Sequence, residues 1–381
     1  MQKIMMIFGT RPEGIKMAPL YHALKKGGRF LPCVAVTGQH REMLHQVLEL
    51  FQIPADYDLD IMQPGQSLTE ITSRVLGGLE GILKEAQPDL VLVHGDTTTT
   101  FSASLAAFYQ QIPVGHVEAG LRSYDPYNPY PEEMNRRLTA QLARLHFSPT
   151  PQARENLLGE NIDPESIFIT GNTVIDALLG MVEPAYPFQD PQLAALDFMK
   201  KIMVVTLHRR ENWGQPLENI LAALRAVMAE EKDVEMVFSL HKNPRVREPV
   251  RQYLGGQPRV HLIEPPHYRE FANLLARSYL VVTDSGGLQE EAPALGKPVL
   301  VLRETTERPE GLEAGTVRLL GTEERHVYQG ITQILRDPRE YAQMAQAINP
   351  YGDGQAALRI AQILHWYFQG GELPPEFQPG R

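Results

Sequence analysis

Asp284-Ser285-Gly286-Gly287-Leu288-Gln289-Glu290-Glu291 is the segment whose residue types and spacing point most directly to chemistry. It follows the apolar run Tyr279–Thr283, which reads as a buried strand, and it opens a helical stretch that runs to Gly296. A Ser-Gly-Gly turn at a helix start aims backbone N–H groups at one point, and those donors together with the helix dipole favour a phosphate. The glycines let an anion approach the backbone closely. Glu291 lies four residues after Gly287 on the same helix face, where a carboxylate can accept hydrogen bonds from sugar hydroxyls. A nucleotide diphosphate at a strand–helix junction fits this combination. A glycine-rich turn followed by a solvated acidic helix start fits it too.

Other polar clusters also follow apolar runs. Gly9-Thr10-Arg11-Pro12-Glu13-Gly14-Ile15-Lys16 places two cations, Arg11 and Lys16, at a helix start that Pro12 suits. His94-Gly95-Asp96-Thr97 puts Asp96 where a helix cap would sit, and capping alone accounts for such an aspartate. Glu118 directly follows the apolar Val114–Val117. Glu132 and Arg136 are four apart on one helix face and can pair. Three carboxylates on three successive loops can converge, and crowded carboxylates raise one another's pKa, which suits acid/base work near neutral pH. Isolated surface salt bridges are the alternative. His208-Arg209-Arg210 follows another apolar run and can serve phosphate or a facing carboxylate. Arg303 to Glu310 is densely charged, as a ligand loop or a solvated one would be.

Some chemistries lack their signatures. No Gly-x-Gly-x-x-Gly occurs, which disfavours a dinucleotide-binding dehydrogenase. No His-Glu-x-x-His, acidic calcium loop or Cys/His cluster occurs either, so neither a metal nor another cofactor is expected.

These clusters need strands to carry them. Short apolar runs alternate with amphipathic stretches in both halves: Ile4–Phe8, Leu31–Thr37, Leu90–Val93, Val114–Val117 and His146–Ser148, then Ile202–Thr206, Val234–Ser239, Val260–Ile263, Leu280–Thr283 and Val299–Val301. Runs this short and apolar suit strands covered on both faces, as in parallel sheets. The fold class expected is therefore α/β, with two Rossmann-like doubly wound domains facing across a cleft. The proline-rich stretch Glu183–Pro191 marks the neighbourhood of the boundary. The expected division is 1–171 and 172–355, with a C-terminal helix at 356–369 and a frayed tail at 370–381.

With 381 residues the chain has room for two cores. The apolar share of 43% and charged share of 22% are those of an ordinary globular protein. A net charge of −10 argues against a nucleic-acid partner held by a basic surface. One cysteine, Cys33, excludes a disulfide within the chain and reads as a small core residue. Met1–Phe8 is too short for a signal segment and reads as the first strand, and no apolar run is long enough to cross a bilayer. No membrane partner is expected, and the cytoplasm is the simplest location.

Taken in order, Gly9-Thr10-Arg11-Pro12-Glu13, Gly95-Asp96-Thr97-Thr98-Thr99, Val117-Glu118-Ala119-Gly120-Leu121-Arg122, Pro131-Glu132-Glu133, His208-Arg209-Arg210-Glu211-Asn212, Asp284-Ser285-Gly286-Gly287 and Thr306-Glu307-Arg308-Pro309-Glu310 resemble the non-hydrolysing UDP-N-acetylglucosamine 2-epimerases of bacteria, from about Lys3 to Phe368. The resemblance implies a glycosyltransferase-B type fold with the C-terminal helix crossing back onto the first domain. It implies interconversion of UDP-GlcNAc and UDP-ManNAc, which supplies ManNAc-type sugars to cell-surface polysaccharide, in a homodimer. Family members remove the proton at C2, eliminate UDP to form 2-acetamidoglucal, and add it back.

Carried over position by position, the resemblance puts acid/base carboxylates at Asp96, Glu118 and Glu132. It puts phosphate ligands at Arg11, His208, Ser285, Gly286 and Gly287, with His208 also counted among the catalytic groups. The ribose carboxylate falls on Glu291, the uracil contact on Phe271, and cleft cations on Lys16 and Arg136. Many relatives hold a second substrate molecule as activator near the segment that is Gln39–Met43 here. Glu42 stands where some activated members have glutamine, and Leu240 where proline often precedes His241-Lys242-Asn243-Pro244. Two other readings share the UDP site: a glycosyltransferase of the same fold, which would need an acceptor pocket, and a non-catalytic nucleotide-sugar sensor.

Overall fold

Apolar runs too short to form long helices become strands here, and each named strand pairing is parallel. The computed structural model describes residues 1–38, 41–61, 63 and 65–380. It divides into two units, Met1–Ala177 with Tyr351–Pro379, and Leu178–Pro350 with Gly380. The division thus falls a few residues after the 171 expected from sequence, and the return at 351 comes before the last helix begins. Gln39 and His40 of the expected activator segment lie outside the described residues.

The strands of the first unit are β1 (Gln2–Phe8), β2 (Phe30–Val36), β3 (Tyr57–Asp58), β4 (Leu90–His94), β5 (Val114–Val117), β6 (Leu145–Ser148) and β7 (Ile167–Ile169). Their order in the sheet is β3-β2-β1-β4-β5-β6-β7. All five residues of β4 are buried, because helices such as Leu68–Ala86 and Thr98–Tyr109 cover the sheet. Each fully buried Val or Leu there contributes about 1.5–3 kcal/mol. The helix Ala356–Gln369 packs beside Arg11–Lys26, with Phe368 and Phe30 ring centroids 6.4 Å apart.

The second unit holds β8 (Lys201–Thr206), β9 (Val234–Ser239), β10 (Val260–Ile263), β11 (Leu280–Thr283), β12 (Val299–Val301) and β13 (Val317–Leu319), ordered β10-β9-β8-β11-β12-β13. Its core forms one apolar cluster on each side of the sheet, around Ile220, Leu224 and Phe238 on one face and Val204, Val237 and Val281 on the other. Among the described residues no helix is long and apolar enough to cross a membrane.

Register decides what meets at the strand ends. His94 pairs with Val117, so Gly95 lies opposite Glu118. Thr206 pairs with Thr283, so the residues entering the next loops, Leu207-His208 and Asp284, run side by side.

Two local expectations are corrected. Cys33 is half-buried rather than a core residue, because β3 pairs with β2 only at Ala35 and Val36 and leaves the earlier part of β2 at a sheet margin. Burial, and then the nearby Asp56 carboxylate, pushes its thiol up to about 11. The tail, expected to fray, is held at two points: Phe377 N–H donates to Ile169 O at 2.8 Å with its ring buried, and Glu376 pairs with Arg154 at 3.1 Å.

Candidate active site

The first unit gathers its polar groups at the ends of β1, β4 and β5. Thr10 caps the helix Arg11–Lys26, which begins with the half-buried Arg11. Glu13 completes the cap by accepting from Gly9 N–H at 3.0 Å and Thr10 N–H at 2.8 Å. The same buried carboxylate accepts from Thr97 Oγ1 at 2.7 Å and Thr100 Oγ1 at 3.1 Å. It therefore ties the loop after β1 to the loop after β4. Burial raises its pKa against those hydrogen bonds.

Asp96 does not cap the next helix; Thr97 does, accepting from Thr100 N–H at 3.1 Å. That frees the Asp96 carboxylate to meet Arg136 Nη2 at 2.5 Å, while its main-chain oxygen accepts from Asn135 at 2.9 Å. Arg136, expected to pair with Glu132, instead reaches Asp96 and the buried Glu133 at 3.5 Å. Glu133 is fixed by the Ser123 and Tyr124 N–H groups at 2.9 and 3.2 Å. Glu132 begins this helix half-buried.

Glu118 is the most constrained of the three carboxylates. Its φ of 63° lies in the left-handed region, a conformation that costs a non-glycine residue about 1–3 kcal/mol. Two residues on, Gly120 has φ 92°, and a Cβ there would lie 2.1 Å from Ala153 O, so the turn after Glu118 requires glycine. The Glu118 side chain is 8% exposed and its Oε2 is bonded to Lys16 Nζ and, at 2.8 Å, to Asn172 Nδ2. His94 Nε2 lies 3.7 Å from the same oxygen, buried and without a hydrogen bond. Burial holds His94 down at about 4 and His116, whose Nε2 meets Gly95 O at 2.7 Å, down at about 3, so both are neutral at pH 7.

The expected crowding of carboxylates is thus not the arrangement found. Asp96 and Glu118 sit at neighbouring strand ends, but each meets a cation first.

In the second unit Asp284 organises the strand ends. It is fully buried and accepts from the N–H groups of His208 at 3.0 Å and Arg209 at 2.9 Å and from Asn212 Nδ2 at 3.1 Å. Asn212 also donates to Leu302 O just past β12 at 3.1 Å, so β8, β11 and β12 are tied at one point. His208 Nδ1 lies 2.9 Å from Asp284 Oδ1. Burial alone would raise the aspartate; the His208 and backbone contacts outweigh it and hold the carboxyl below the usual carboxylate range. With Nδ1 committed, Nε2 is the imidazole atom left to meet a ligand.

Ser285 N–H is taken by Thr283 Oγ1 at 2.9 Å, so it is not one of the donors expected for an anion. The N–H groups of Gly286 and Gly287 donate to no acceptor among the described residues. A Cβ on Gly286 would lie 2.7 Å from Glu307 Oε1, so a side chain there would push the Glu307 carboxylate aside. Glu291 carries a carboxylate 3.8 Å from where a Gly287 Cβ would stand and accepts from Tyr268 Oη at 3.2 Å. Phe271, one turn on from Tyr268, is half-buried against the apolar core.

The charged loop after β12 resolves into ion pairs. Arg303 meets Glu211 at 2.6 Å and also Glu307, and Arg308 meets Glu290. Arg209 meets Glu307 at 2.6 Å, a facing carboxylate of the kind read from sequence. Burial opposes ionisation of Glu307, and the Arg209 and Arg303 guanidiniums outweigh it, holding its carboxyl down at about 2.

Sequence reasoning gave no role to Glu13, Asn172, Asp284 or Tyr268. Among the described residues no group of three or more His, Cys, Asp and Glu is arranged to hold a metal ion.

Residues 22–365 match the family model described as UDP-N-acetylglucosamine 2-epimerase. The chain is 56% identical over 375 residues to the UDP-N-acetylglucosamine 2-epimerase of Escherichia coli strain K12, covering 95% of this chain and 98% of that one. It is similar to the Staphylococcus aureus MnaA–UDP co-structure, with TM-score 0.88 and 51% identity over 99% of this chain and 100% of that one. It is also similar to the Neisseria meningitidis UDP-GlcNAc 2-epimerase bound to UDP-GlcNAc, with TM-score 0.85 and 49% identity over 95% and 99% of the two chains. With two Rossmann-like units of parallel sheet and strand-end groups of this kind, the chain belongs to the UDP-N-acetylglucosamine 2-epimerase family.

Proposed function

We propose that this epimerase inverts C2 of UDP-GlcNAc by elimination and re-addition, with the first unit handling the proton and the second supplying most of the diphosphate ligands. The observation that carries this reading is Glu118, a nearly buried carboxylate on a strained turn, held beside Lys16 and one strand away from the Asp96–Arg136 pair. A carboxylate base takes the C2 proton, the C1–O bond breaks with its electron pair leaving on UDP, and a C1=C2 bond forms 2-acetamidoglucal. UDP then adds back at C1 while a proton reaches C2 from the opposite face, giving UDP-ManNAc. Atoms and electrons balance without an added oxidant or reductant.

The C2 proton is weakly acidic, so its removal is helped by stabilising the departing diphosphate. His208 Nε2 and the Gly286 and Gly287 N–H groups are assigned to that charge, with Arg11 as an added cation. Ser285 remains a candidate through its hydroxyl, its N–H being taken by Thr283. Glu291 with Tyr268 is assigned to the ribose and Phe271 to the uracil. Asp96, Glu118 and Glu132 share the proton work, with Arg136 paired to Asp96 and Lys16 to Glu118. On the same reading the product supplies ManNAc-type sugars for cell-surface polysaccharide, and the enzyme works as a cytoplasmic homodimer.

Turnover in D₂O is expected to place deuterium at C2 of the product, with traces of free UDP and glycal escaping. Product that keeps its original hydrogen fully at C2, read by proton NMR, would exclude the exchanging elimination. Glu291→Ala is expected to weaken UDP binding by about ten-fold, since it removes an acceptor from the ribose. Calorimetry with UDP that shows unchanged affinity would remove Glu291 from the nucleotide site.

A further inference from the structure

Among the described residues, Glu118 Oε2 accepts from donors in widely separated parts of the chain. One is the cation Lys16, on the helix Arg11–Lys26; another is the neutral amide of Asn172 at 2.8 Å. Asn172 is itself 2% exposed and fixed on every side. Its Oδ1 accepts from Val174 N–H at 3.1 Å, so the amide is oriented with Nδ2 toward Glu118. Its backbone N–H donates to Tyr351 O at 2.7 Å. Tyr351 is the first residue of the segment by which the chain re-enters the first unit, and Asn172 stands on the segment by which it leaves. The two segments touch closely: a Cβ on Gly352 would lie 3.4 Å from Asn172 N and O, and one on Gly171 would lie 3.3 Å from Gly352 Cα.

We infer that Asn172 is a positioning residue for the proton chemistry, holding the Glu118 carboxylate in place and favouring its ionised form from the segment that joins the two units. This inference rests on the catalytic reading of Glu118. The strained backbone of Glu118 gives its side chain a direction but not a fixed end, and a buried carboxylate oxygen needs donors. Lys16 supplies charge on a long flexible stem, whereas Asn172 supplies a short, oriented donor. Among the described residues, charged and titratable groups near Glu118 include Lys16 from the helix and His94 from the end of β4, with the Asp96–Arg136 pair at the same strand end. Asn172 meets Glu118 from the crossing segments, and it is uncharged.

An N–H donor stabilises the carboxylate over the acid, so deleting it raises the Glu118 pKa. Asn172→Ser removes the donor and keeps a small polar side chain. Asn172→Asp keeps the shape and the acceptor for Val174 but replaces the donor by a like charge. The limb of the pH–kcat profile that Glu118 governs is expected to move upward by about one unit in the serine variant and further in the aspartate variant. The kcat at the wild-type optimum should fall by about 10–100-fold. KM for UDP-GlcNAc should stay within about three-fold, because Asn172 is not assigned to the substrate. A residue with only a structural role would lower activity without this graded order of pH shifts.

The profiles are measured in both directions of the reaction, on protein whose folding is checked by circular dichroism. The serine variant serves if the buried like charge prevents folding. An unshifted profile in a folded Asn172→Ser enzyme overturns the inference while Glu118→Gln is inactive. Near-full turnover in Glu118→Gln overturns the catalytic reading of Glu118 beneath it, whatever the Asn172 variants do.

Discussion

Asp96→Asn and Glu118→Gln are each expected to lower turnover of UDP-GlcNAc by about 10²–10⁴-fold while leaving UDP affinity nearly unchanged. Both substitutions keep side-chain volume and keep one oxygen to accept from Arg136 or from Lys16 and Asn172. What they remove is the ability to take up and release a proton. Of the groups proposed for the diphosphate, all but Arg11 lie in the other unit, around His208 and the Gly286-Gly287 turn, and neither substitution alters any of them. Coupled kinetic assay and calorimetry with UDP separate the two effects. A variant with near-wild-type turnover would strike its residue from the proton chemistry; one that loses UDP affinity in proportion to turnover would mean that the carboxylate serves binding.

Asp284→Ala is expected to cost about 3–5 kcal/mol of stability in the second unit. The substitution leaves the His208 and Arg209 N–H groups and one Asn212 amide proton buried or half-buried without their acceptor, and it releases His208 Nδ1. Each abandoned buried donor costs about 1–3 kcal/mol, and the strand ends of β8, β11 and β12 lose their common tie. Turnover should fall as well, because His208 would no longer be held with Nε2 as its outward atom. Asp284→Asn, which keeps the shape, should recover part of the stability and less of the turnover. Urea unfolding with a midpoint unchanged in the alanine variant would show that Asp284 is not the organising group.

Much of this architecture is legible in sequence because its central strands are continuous apolar runs. β1, β4, β5, β8 and β11 are covered on both faces, and a strand so placed admits little else. Residues that directly follow such runs stand at a strand end, which is why Asp96, Glu118 and His208 can be picked out without coordinates. The strands β3, β7 and β13 escape this reading: they are two or three residues long, lie at or near the sheet margins, and carry too few side chains to show a period. The positioning groups escape it for another reason. Glu13 meets Thr97 across 84 positions, Asp284 meets His208 across 76, and Asn172 meets Glu118 across 54. Their chemistry lies in partners that only the folded sheet brings near. The same limit explains Arg136, whose helical spacing suggested Glu132 and whose actual partner is Asp96, 40 positions away.

The anchored tail has a practical consequence for anyone shortening this chain. β7 is the last strand in its sheet, and the backbone of Ile169 makes its outward hydrogen bonds to Phe377 N–H and the Glu376 carboxylate. Those last residues act as a selvedge, finishing a woven edge that would otherwise invite another thread. Removal of 370–381 would leave the Ile169 N–H and C=O unpaired beside apolar surface against which Phe377 is now buried. Such a truncated enzyme is expected to retain its strand-end chemistry yet stick to itself as concentration rises, seen by light scattering as growth beyond the assembly of the full chain. Tail residues that take no part in the reaction would then decide how concentrated the working enzyme can be.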